Sequence, residues 1–529
     1  MTHIEQVIQA FGKHGAEHLE AERRKSTADS LQAILSWGAV LPLSLCRLAH
    51  GMIGILDLDE TSLLFGVAEA AKMPSWLVEF QGESSEVQGL RVVMAEMSPA
   101  NAAVLRQLVP HTRPQTLGLK PTFGFGDRIG LATSGHVLAM DAAGERIIPI
   151  FAQQSIREMS RTARTAREVI DDATWGVFRA GWVRPFGADA DHLKTTSDVE
   201  MTAQAGFVFF TIDPSEYVDQ HVENYNQNKI EQRFQNLIDS SIEGAPDFIN
   251  LYLDKTFKIE KEQETIRVTF DEIALKRAAI KYGRALDHTY QMAHHVAKVM
   301  GSKPFELELS VDETAQPTSI LEHLFVALEL KRHAIPIISI APRFVGDFEK
   351  GIDYKGDVSL FEKSLIQHMA IAEQYGPYKI GVHSGSDKFS IYPSIGRICK
   401  GRFHVKTAGT SYLEALRVVC RKDKEFFRSI INFARSRFAK DRESYHLSAG
   451  LDRVPEAGKL KDNELERTYL DQDHGRQILH VTFGSVLTES TNGHYRFRER
   501  IRKILLQNQH LHEDVLRHHL GKHISLLLV

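Results

Sequence analysis

The chain has 529 residues, of which 43% are hydrophobic and 25% are charged, an ordinary composition for a globular protein. Its 64 basic and 68 acidic residues nearly cancel, so the overall charge offers no attraction for nucleic acid or an anionic membrane. Three cysteines without paired spacing argue against a disulfide framework and for a reducing compartment. Because the chain also lacks a signal-peptide pattern and any membrane-length apolar run, we expect a cytoplasmic location.

The pattern of the sequence changes twice along the chain. Residues 1–115 mix helical and strand-like stretches, which indicates a small α/β region. In residues 116–424, short apolar runs alternate with amphipathic helical patterns, as is typical of βα units on a parallel sheet. Residues 425–529 have mostly helical patterns, with one strand-like stretch at 477–483. We therefore predict an α/β fold, a TIM-type (β/α)₈ barrel with an N-terminal α/β lead-in and a C-terminal helical region.

Eight candidate strands account for the barrel. They are residues 121–127, 147–151, 184–188, 207–213, 305–312, 336–342, 379–383 and 403–406. The connection after the fourth strand is too long for one crossover, and its polar part predicts an insertion at about 214–265, either a lid or an oligomer contact. In such a barrel the carboxyl ends of all the strands meet at one face, where active sites lie.

Acid, base and metal-ligand residues cluster at the ends of several predicted strands. They are Asp189, Asp191, His192 and Lys194 at the third strand, Asp312 and Glu313 at the fifth, His383 at the seventh, and His404 and Lys406 in the eighth. Two histidines on neighbouring strand ends, across the mouth from Asp and His, favour a divalent metal held by histidines and a carboxylate. Lys406 lies on the same face as His404 and is suited to binding an anion or to proton transfer.

The fifth strand alternates polar and apolar residues. Glu306, Glu308, Ser310 and Asp312 occupy one face, and alternation directs that face into the barrel. Buried acids need cations, a metal or a polar ligand, because burying an unpaired charge is costly. For Glu306 and Glu308, an ion pair at the bottom of the barrel is the alternative to a site.

Loops after other strands suggest an acidic substrate. Ser384, Asp387 and Lys388 follow the seventh strand and Arg343 follows the sixth, positions at which barrels often bind anions. The stretch from Gly124 to Gly130 resembles a dinucleotide fingerprint, but its glycine spacing is one residue too long, so we do not predict a nucleotide site. Instead, its Asp127 and Arg128 should lie at the rim of the barrel, available to substrate.

Together these segments resemble the bacterial tagaturonate epimerase family. The matching motifs are Phe123-Gly-Phe-Gly-Asp-Arg-Ile-Gly-Leu-Ala-Thr, Phe186-Gly-Ala-Asp-Ala-Asp-His-Leu-Lys-Thr, Ser310-Val-Asp-Glu-Thr, Ala341-Pro-Arg-Phe-Val-Gly-Asp, His383-Ser-Gly-Ser-Asp-Lys-Phe-Ser and Phe403-His-Val-Lys-Thr-Ala-Gly-Thr-Ser-Tyr. They cover residues from about 120 to 420. The resemblance implies a metal-dependent isomerase that interconverts D-tagaturonate and D-fructuronate in hexuronate breakdown.

The resemblance also implies roles for individual residues. His192, His383 and His404 correspond to metal ligands, Asp191 to the proton acceptor and Glu313 to the proton donor. Strand alternation instead favours Asp312 as the inward carboxylate of its pair, so that assignment is open. Asp127, Arg128, Asp189, Lys194, Asp312, Arg343, Ser384, Asp387, Lys388 and Lys406 are the expected substrate contacts. Zinc, manganese, nickel and iron all suit such ligands, so the sequence does not select the metal.

The chemistry of the two ketouronates narrows the mechanism. They differ at a carbinol carbon β to the ketone, so simple enolisation would invert the wrong centre. Retro-aldol cleavage and re-addition is the favoured route, because transient oxidation would need a tightly held nicotinamide, for which the sequence shows no convincing fingerprint. The alternatives are another metal-dependent barrel aldolase or ketose isomerase for an acidic sugar, and a non-catalytic sugar-acid binding protein. The oligomeric state, including a homo-oligomer, is left open.

Overall fold

The computed structural model describes residues 2–58, 61–240, 245–261 and 264–528, and its centre is a closed barrel of eight parallel strands. Neighbours in the chain are neighbours in the barrel, and the last strand pairs with the first. We number the strands β1 to β8: Thr122–Phe125, Ile148–Ser155, Gly187–Leu193, Phe209–Ile212, Glu306–Ser310, Ile337–Ala341, Lys379–Val382 and Phe403–Thr407. Each overlaps a predicted strand, and the predicted fold class is confirmed.

Helices cover the outside of the barrel. They are Thr133–Ala139, Ile156–Thr162, Ala166–Arg179, Thr196–Ala205, Glu272–Met300, Ile320–Arg332, Val358–Tyr375, Tyr392–Cys399 and Thr410–Lys422. Local sequence sets where some of them begin: Ser319 and Glu322 form a capping box ahead of Ile320–Arg332, and Thr195 and Asp198 form one ahead of Thr196–Ala205. These caps satisfy backbone N–H groups that a helix leaves free, so the chain turns from strand to helix at fixed positions.

In its described residues, the long connection between β4 and β5 contains two α-helices and a hairpin before the helix Glu272–Met300 returns to the barrel. Its elements are Gln227–Asp239, Asp247–Tyr252, Thr256–Lys261 and Glu264–Thr269. Tyr252 and Phe270 pack against Phe325 of the barrel helix Ile320–Arg332. The polar range predicted as an insertion is therefore held to the barrel by an aromatic cluster.

The described part of the N-terminal region is an antiparallel sheet with three α-helices. Its strands are Glu17–His18, Ala39–Val40, Cys46–Leu48, Gly51–Asp57, Ser62–Glu69, Gly82–Val87 and Leu90–Glu96, and its helices are His3–Ala10, Ala21–Leu35 and Pro99–Leu108. Trp175 and Phe178 of a barrel helix belong to its apolar core. The sheet is thereby packed against the side of the barrel.

The C-terminal region is helical, with one short hairpin. Its elements are the helices Lys424–Asp441, Asp473–Val481, Phe483–Thr488, Arg498–Gln507 and Gln509–Leu527 and the strands Ser490–Thr491 and His494–Tyr495. The predicted strand at 477–483 is wrong, because that stretch lies in Asp473–Val481 and the start of Phe483–Thr488. Every residue from 475 to 481 is buried, and a short apolar run does not distinguish a buried helix from a strand. Among the described residues, no helix has the length and apolarity to cross a bilayer.

Candidate active site

An irregularity in β3 brings two adjacent side chains to the mouth of the barrel. The strand was predicted at 184–188 but runs from Gly187 to Leu193, and its pairing with β4 shifts between Ala190 and Leu193. His192 has a positive φ of 56° at this shift. Regular alternation would send Asp191 and His192 to opposite faces, but the bulge lets both reach the interior.

Lys406 of β8 lies among three carboxylates inside the barrel. Its Nζ is 2.8 Å from Asp189, 2.7 Å from Asp191 and 2.8 Å from Glu308. Burial alone would lower the pKa of Lys406, but the three carboxylates outweigh it and raise the pKa. The buried charges therefore compensate one another, as buried acids require.

Three histidines surround this group in the same way. Each places Nδ1 beside an oxygen outside the Lys406 group: Asp213 at 3.1 Å for His192, Asp312 at 3.3 Å for His383 and Thr122 at 2.9 Å for His404. Each Nε2 faces one acid of the Lys406 group: Asp191 at 3.7 Å, Glu308 at 2.8 Å and Asp189 at 3.4 Å, respectively. Metal-binding histidines are oriented by an outer partner in this manner.

The acids also hold two of these histidines in the protonated form. Burial opposes protonation, but Asp191 and Asp213 raise the pKa of His192 to about 10. Burial and Lys406 likewise oppose protonation of His383, whose pKa Asp312 and Glu308 raise to about 9. Negative charge that attracts a proton to an imidazole equally attracts a divalent cation in its place, so the donor set fits a metal.

The ligand atoms of Asp191, His192 and His383 lie within 4.8 Å of one another. His192, Asp213 and Glu313 form a second such group, and Asp387, His519 and His523 form a third elsewhere. Across the described ranges, His404 belongs to none of these groups. The structure thus brings two of the three predicted histidine ligands together and places the third below Lys406 on β8, fully buried.

Two adjoining cavities open above this centre. The inner cavity is lined by Asp191, His192, His383, Lys406, Arg128 and others. The larger outer cavity is lined by Asp312, Glu313, Arg343, Phe344 and others. Both are bordered by Arg157, Lys350, His383, Ser384 and Tyr445. A substrate entering from outside would pass this shared border to reach the histidines.

The two candidate carboxylates after β5 have different surroundings. Asp312 faces His383. Burial would raise the pKa of Asp312, but the attraction to His383 and a hydrogen bond from Ser310 keep this pKa low. Glu313 lies at the rim, where its Oε1 is 2.9 Å from Nη2 of Arg157. Asp312 is therefore the inward member of the pair, and Glu313 is the one that solvent and an entering substrate reach.

The predicted substrate contacts divide into those at the cavities and those elsewhere. Arg343 and Ser384 line the outer cavity. Arg128 lines the inner cavity but pairs with Glu158 and stacks on Phe483. Asp127, Lys194, Asp387 and Lys388 are not among the residues that line either cavity.

These four have other partners in the structure. Asp127 accepts hydrogen bonds from the backbone N–H groups of Ile129, Gly130 and Ala132, and so shapes its own loop. Lys388 donates to three backbone carbonyls, and Asp387 pairs with Arg476. Lys194 pairs with Asp213 and Glu216. Sequence position at a strand end does not distinguish such structural roles from substrate contact.

Sequence reasoning did not find Arg157 and Lys350, which the structure places at the border of both cavities. For Glu308 it left a site and an ion pair open, and the structure places Glu308 in an ion pair with Lys406 and beside His383 at the centre. Glu306 lies two residues earlier on the same face of β5, and its carboxylate accepts hydrogen bonds from the backbone N–H groups of Leu117 and Gly118 instead. Arg157, in the helix Ile156–Thr162, and Lys350, in the loop after β6, are isolated cations, and no local pattern indicates them.

A closed (β/α)₈ barrel with acids, histidines and a lysine beneath a cavity at its carboxyl-terminal mouth defines an enzyme of the TIM-barrel class. Residues 43–527 match the model of the UxaE family, described as tagaturonate epimerase. A protein of Thermotoga maritima named tagaturonate/fructuronate epimerase is 42% identical over 461 residues, covering 87% of this chain and 91% of that protein. The chain therefore belongs to the tagaturonate epimerase family, and the predicted enzyme class, an isomerase, is confirmed.

Solved structures agree in fold. The native crystal structure of the fructuronate-tagaturonate epimerase UxaE from Cohnella laeviribosi is 35% identical, with a TM-score of 0.86, and the match covers 94% of this chain and 99% of that one. A crystal structure of the same protein with two glycerol molecules is 34% identical, with a TM-score of 0.87, and covers 96% and 100% of the two chains. The likeness spans the N-terminal sheet, the barrel and the C-terminal helices.

Proposed function

We propose that this chain interconverts D-tagaturonate and D-fructuronate, with a divalent cation bound at the barrel mouth by His192, His383 and His404. Family membership supports the substrate pair. The observation that carries the metal is the common orientation of the three histidines, each with Nδ1 beside an oxygen outside the Lys406 group and Nε2 facing an acid of that group. Imidazole nitrogens so oriented are suited to zinc, manganese, nickel or iron alike.

The reaction inverts a carbinol carbon β to the ketone. In the proposed route, the hydroxyl on that carbon gives its proton to Asp191, and the carbon–carbon bond toward the ketone breaks. Its electron pair forms an enediolate in one fragment, while the other fragment becomes an aldehyde. The aldehyde turns, the bond re-forms on its opposite face, and the new alkoxide takes a proton from Glu313 or back from Asp191. No oxidant or reductant is consumed.

Residues at the inner and the outer cavity have different roles in this proposal. Asp191 lies at the inner cavity beside His192, and Lys406 offsets its charge at 2.7 Å. Glu313 lies at the outer cavity, with its carboxylate within 4.8 Å of a ring nitrogen of His192. A bound divalent cation would supply Lewis-acid stabilisation of the negative oxygens that form when the bond breaks. The protein keeps both fragments in place between the two cavities.

Substrate and metal dependence are tested together. Purified protein should convert D-fructuronate to D-tagaturonate, lose turnover with a chelator and regain it with one of the four divalent ions. Simple ketohexoses under the same conditions should react far more slowly. Turnover that survives exhaustive chelation would contradict the metal, and a preference for a neutral ketose would favour an aldolase or ketose isomerase instead.

Isotopic labelling tests the bond that breaks. Deuterium on the inverted carbon should stay in the product and cause only a small rate effect, because its C–H bond is not broken in retro-aldol cleavage. A large primary isotope effect would indicate transient oxidation, and loss of the deuterium to solvent would indicate direct deprotonation. Trapping of three-carbon fragments would support cleavage.

A small acidic ketose is the partner that this function requires. The described cysteines, Cys46, Cys399 and Cys420, are all free thiols in buried positions. Their state supports the expected cytoplasmic location, in which hexuronate breakdown would take place.

A further inference from the structure

Resting on the proposed function, we propose that Lys350 and Arg157 form the subsite that binds the carboxylate of the acidic ketose. Both residues lie on the border shared by the inner and outer cavities. Arg157 comes from the helix that follows β2, and Lys350 comes from the loop that follows β6. A carboxylate between them would leave the rest of the ketose to extend toward His192 and His383 in the inner cavity.

Lys350 has donors available for an anion. Its Nζ donates to the neutral hydroxyl Oγ of Ser384 at 2.5 Å, and it forms no ion pair with a carboxylate among the described residues. An ammonium has three N–H donors, so one hydrogen bond leaves capacity for a carboxylate. Burial and the nearby Arg157 lower the pKa of Lys350. A bound anion acts in the opposite direction, because its negative charge stabilises the charged ammonium.

Other cations at the cavities are already neutralised. Lys406 contacts three carboxylates, and Arg128 forms two hydrogen bonds to Oε1 of Glu158 at 2.9 and 2.6 Å. Arg343 lines only the outer cavity, farther from the histidines. Lys350 is therefore the cation that combines free donors with access to both cavities.

Arg157 can exchange its present partner for the substrate. Its ion pair with Glu313 at 2.9 Å joins side chains that are 38% and 32% exposed, and such partly exposed pairs hold weakly. Planar guanidinium groups bind carboxylates through two parallel hydrogen bonds. When the substrate carboxylate takes this place, Glu313 is released beside His192 and Asp213, whose ligand atoms lie within 4.8 Å of its own. Binding of the substrate carboxylate would thus free Glu313, the proposed proton donor.

The test compares an acidic ketose with its neutral counterpart. We expect Lys350→Met to lower kcat/KM for D-fructuronate by about 10- to 100-fold, the loss that a charge-assisted hydrogen bond represents. For the neutral ketohexose, which has a primary alcohol in place of the carboxylate, the kcat/KM of Lys350→Met should stay within about twofold of the wild-type value. Lys350→Arg should restore part of the loss. Lys355→Met serves as the control, because Lys355 lies in the same loop but pairs with Glu349 away from the cavities.

A binding measurement separates this inference from the proposed function. Calorimetric titration of the metal-loaded protein with glycerate should show affinity reduced about 10-fold in Lys350→Met and unchanged in Lys355→Met. An equal loss for acidic and neutral ketoses, or unchanged glycerate binding, would overturn the subsite. Wild-type protein that binds glycerate through Lys350 but does not convert D-fructuronate would overturn the proposed function and leave the subsite standing.

Discussion

Two regions of this molecule gather acids and histidines at metal-ligand distances, but they differ in what those groups face. The mouth cluster consists of Asp189, Asp191, His192, Glu308, His383, His404 and Lys406. The helix cluster consists of Asp387, Glu414, Arg476, His519 and His523, where the C-terminal helix Gln509–Leu527 meets the loop after β7. Ligand-type residues alone would mark both as metal sites.

In the helix cluster, the protein itself occupies the nitrogens and oxygens. Asp387 receives Nε2 of His519 at 2.5 Å and Nη2 of Arg476 at 2.9 Å. His523 accepts the backbone N–H of Asp387 at 3.0 Å and directs Nδ1 to the carbonyl of His519 at 2.9 Å. A metal would have to displace these bonds, so this cluster fastens a helix to the barrel.

In the mouth cluster, by contrast, some of the ligand residues border a cavity: Asp191, His192 and His383 line it directly. The buried Oε2 of Glu308, close to Gly381, has no hydrogen-bond partner, and such an atom calls for an explanation such as an ion or a water. The two regions together show that access to a cavity distinguishes a candidate site more strongly than the residue types do.

The largest effect should come from removing the central cation of the mouth cluster. Lys406→Met leaves three carboxylates buried without their counter-charge, which should cost about 3–5 kcal/mol of unfolding free energy and abolish turnover. Urea unfolding at neutral pH measures the first, and the ketouronate assay measures the second. Lys363→Met, on the exposed side of an outer helix, is the control.

The same variant has a pH signature. In the wild type, Lys406 and His383 keep the pKa of Glu308 low despite burial, so stability from this group is present above the unfolded pKa and lost on acidification. Without Lys406, burial raises the pKa of the acids, and protonation then relieves the destabilisation. The difference between variant and wild type should therefore shrink as the pH falls from 7 to 5. A constant difference would contradict the proposed charge balance.

Equivalent histidine substitutions in the two clusters should separate their roles. We expect His383→Gln to lower metal content and to reduce turnover by more than about 100-fold, since a ligand loss disables a metal site. His523→Gln should keep its metal and its turnover, and should change only stability. Elemental analysis of both proteins after dialysis provides the measurement. Metal lost from His523→Gln and kept by His383→Gln would reverse the comparison.

His404 sharpens the boundary of the mouth cluster. If His404 is a ligand, His404→Gln should lower the metal affinity of the protein about 10- to 100-fold. Thr122→Val should lower it less, because Thr122 only orients the His404 ring. Metal titration with a competing chelator measures both. Full affinity in His404→Gln would instead make it a residue that positions Asp189 from below.

Much of the fold could be predicted because periodicity survives in the sequence. Eight short apolar runs separated by amphipathic helices fixed the barrel and placed His383 and His404 on neighbouring strands. The bulge in β3 could not be predicted, since a register shift leaves no mark on an apolar pattern. Arg157 and Lys350 were missed because tertiary structure brings them together from a helix and a loop that are distant in sequence. The helix at 473–481 was misread because it is buried all round.

The smallest effect should appear in the helix cluster as a change in the pH dependence of stability. Burial opposes protonation of His519, but Glu414 and Asp387 raise its pKa above the ordinary value. A raised pKa contributes stability that is complete below the unfolded value of about 6.5 and is lost as the pH rises through the folded value. The unfolding free energy of the wild type should therefore decline above pH 6.5 more steeply than that of His519→Gln. Parallel curves would show that the helix is held without this charge, and turnover at the mouth should be the same in both proteins because His519 does not line its cavities.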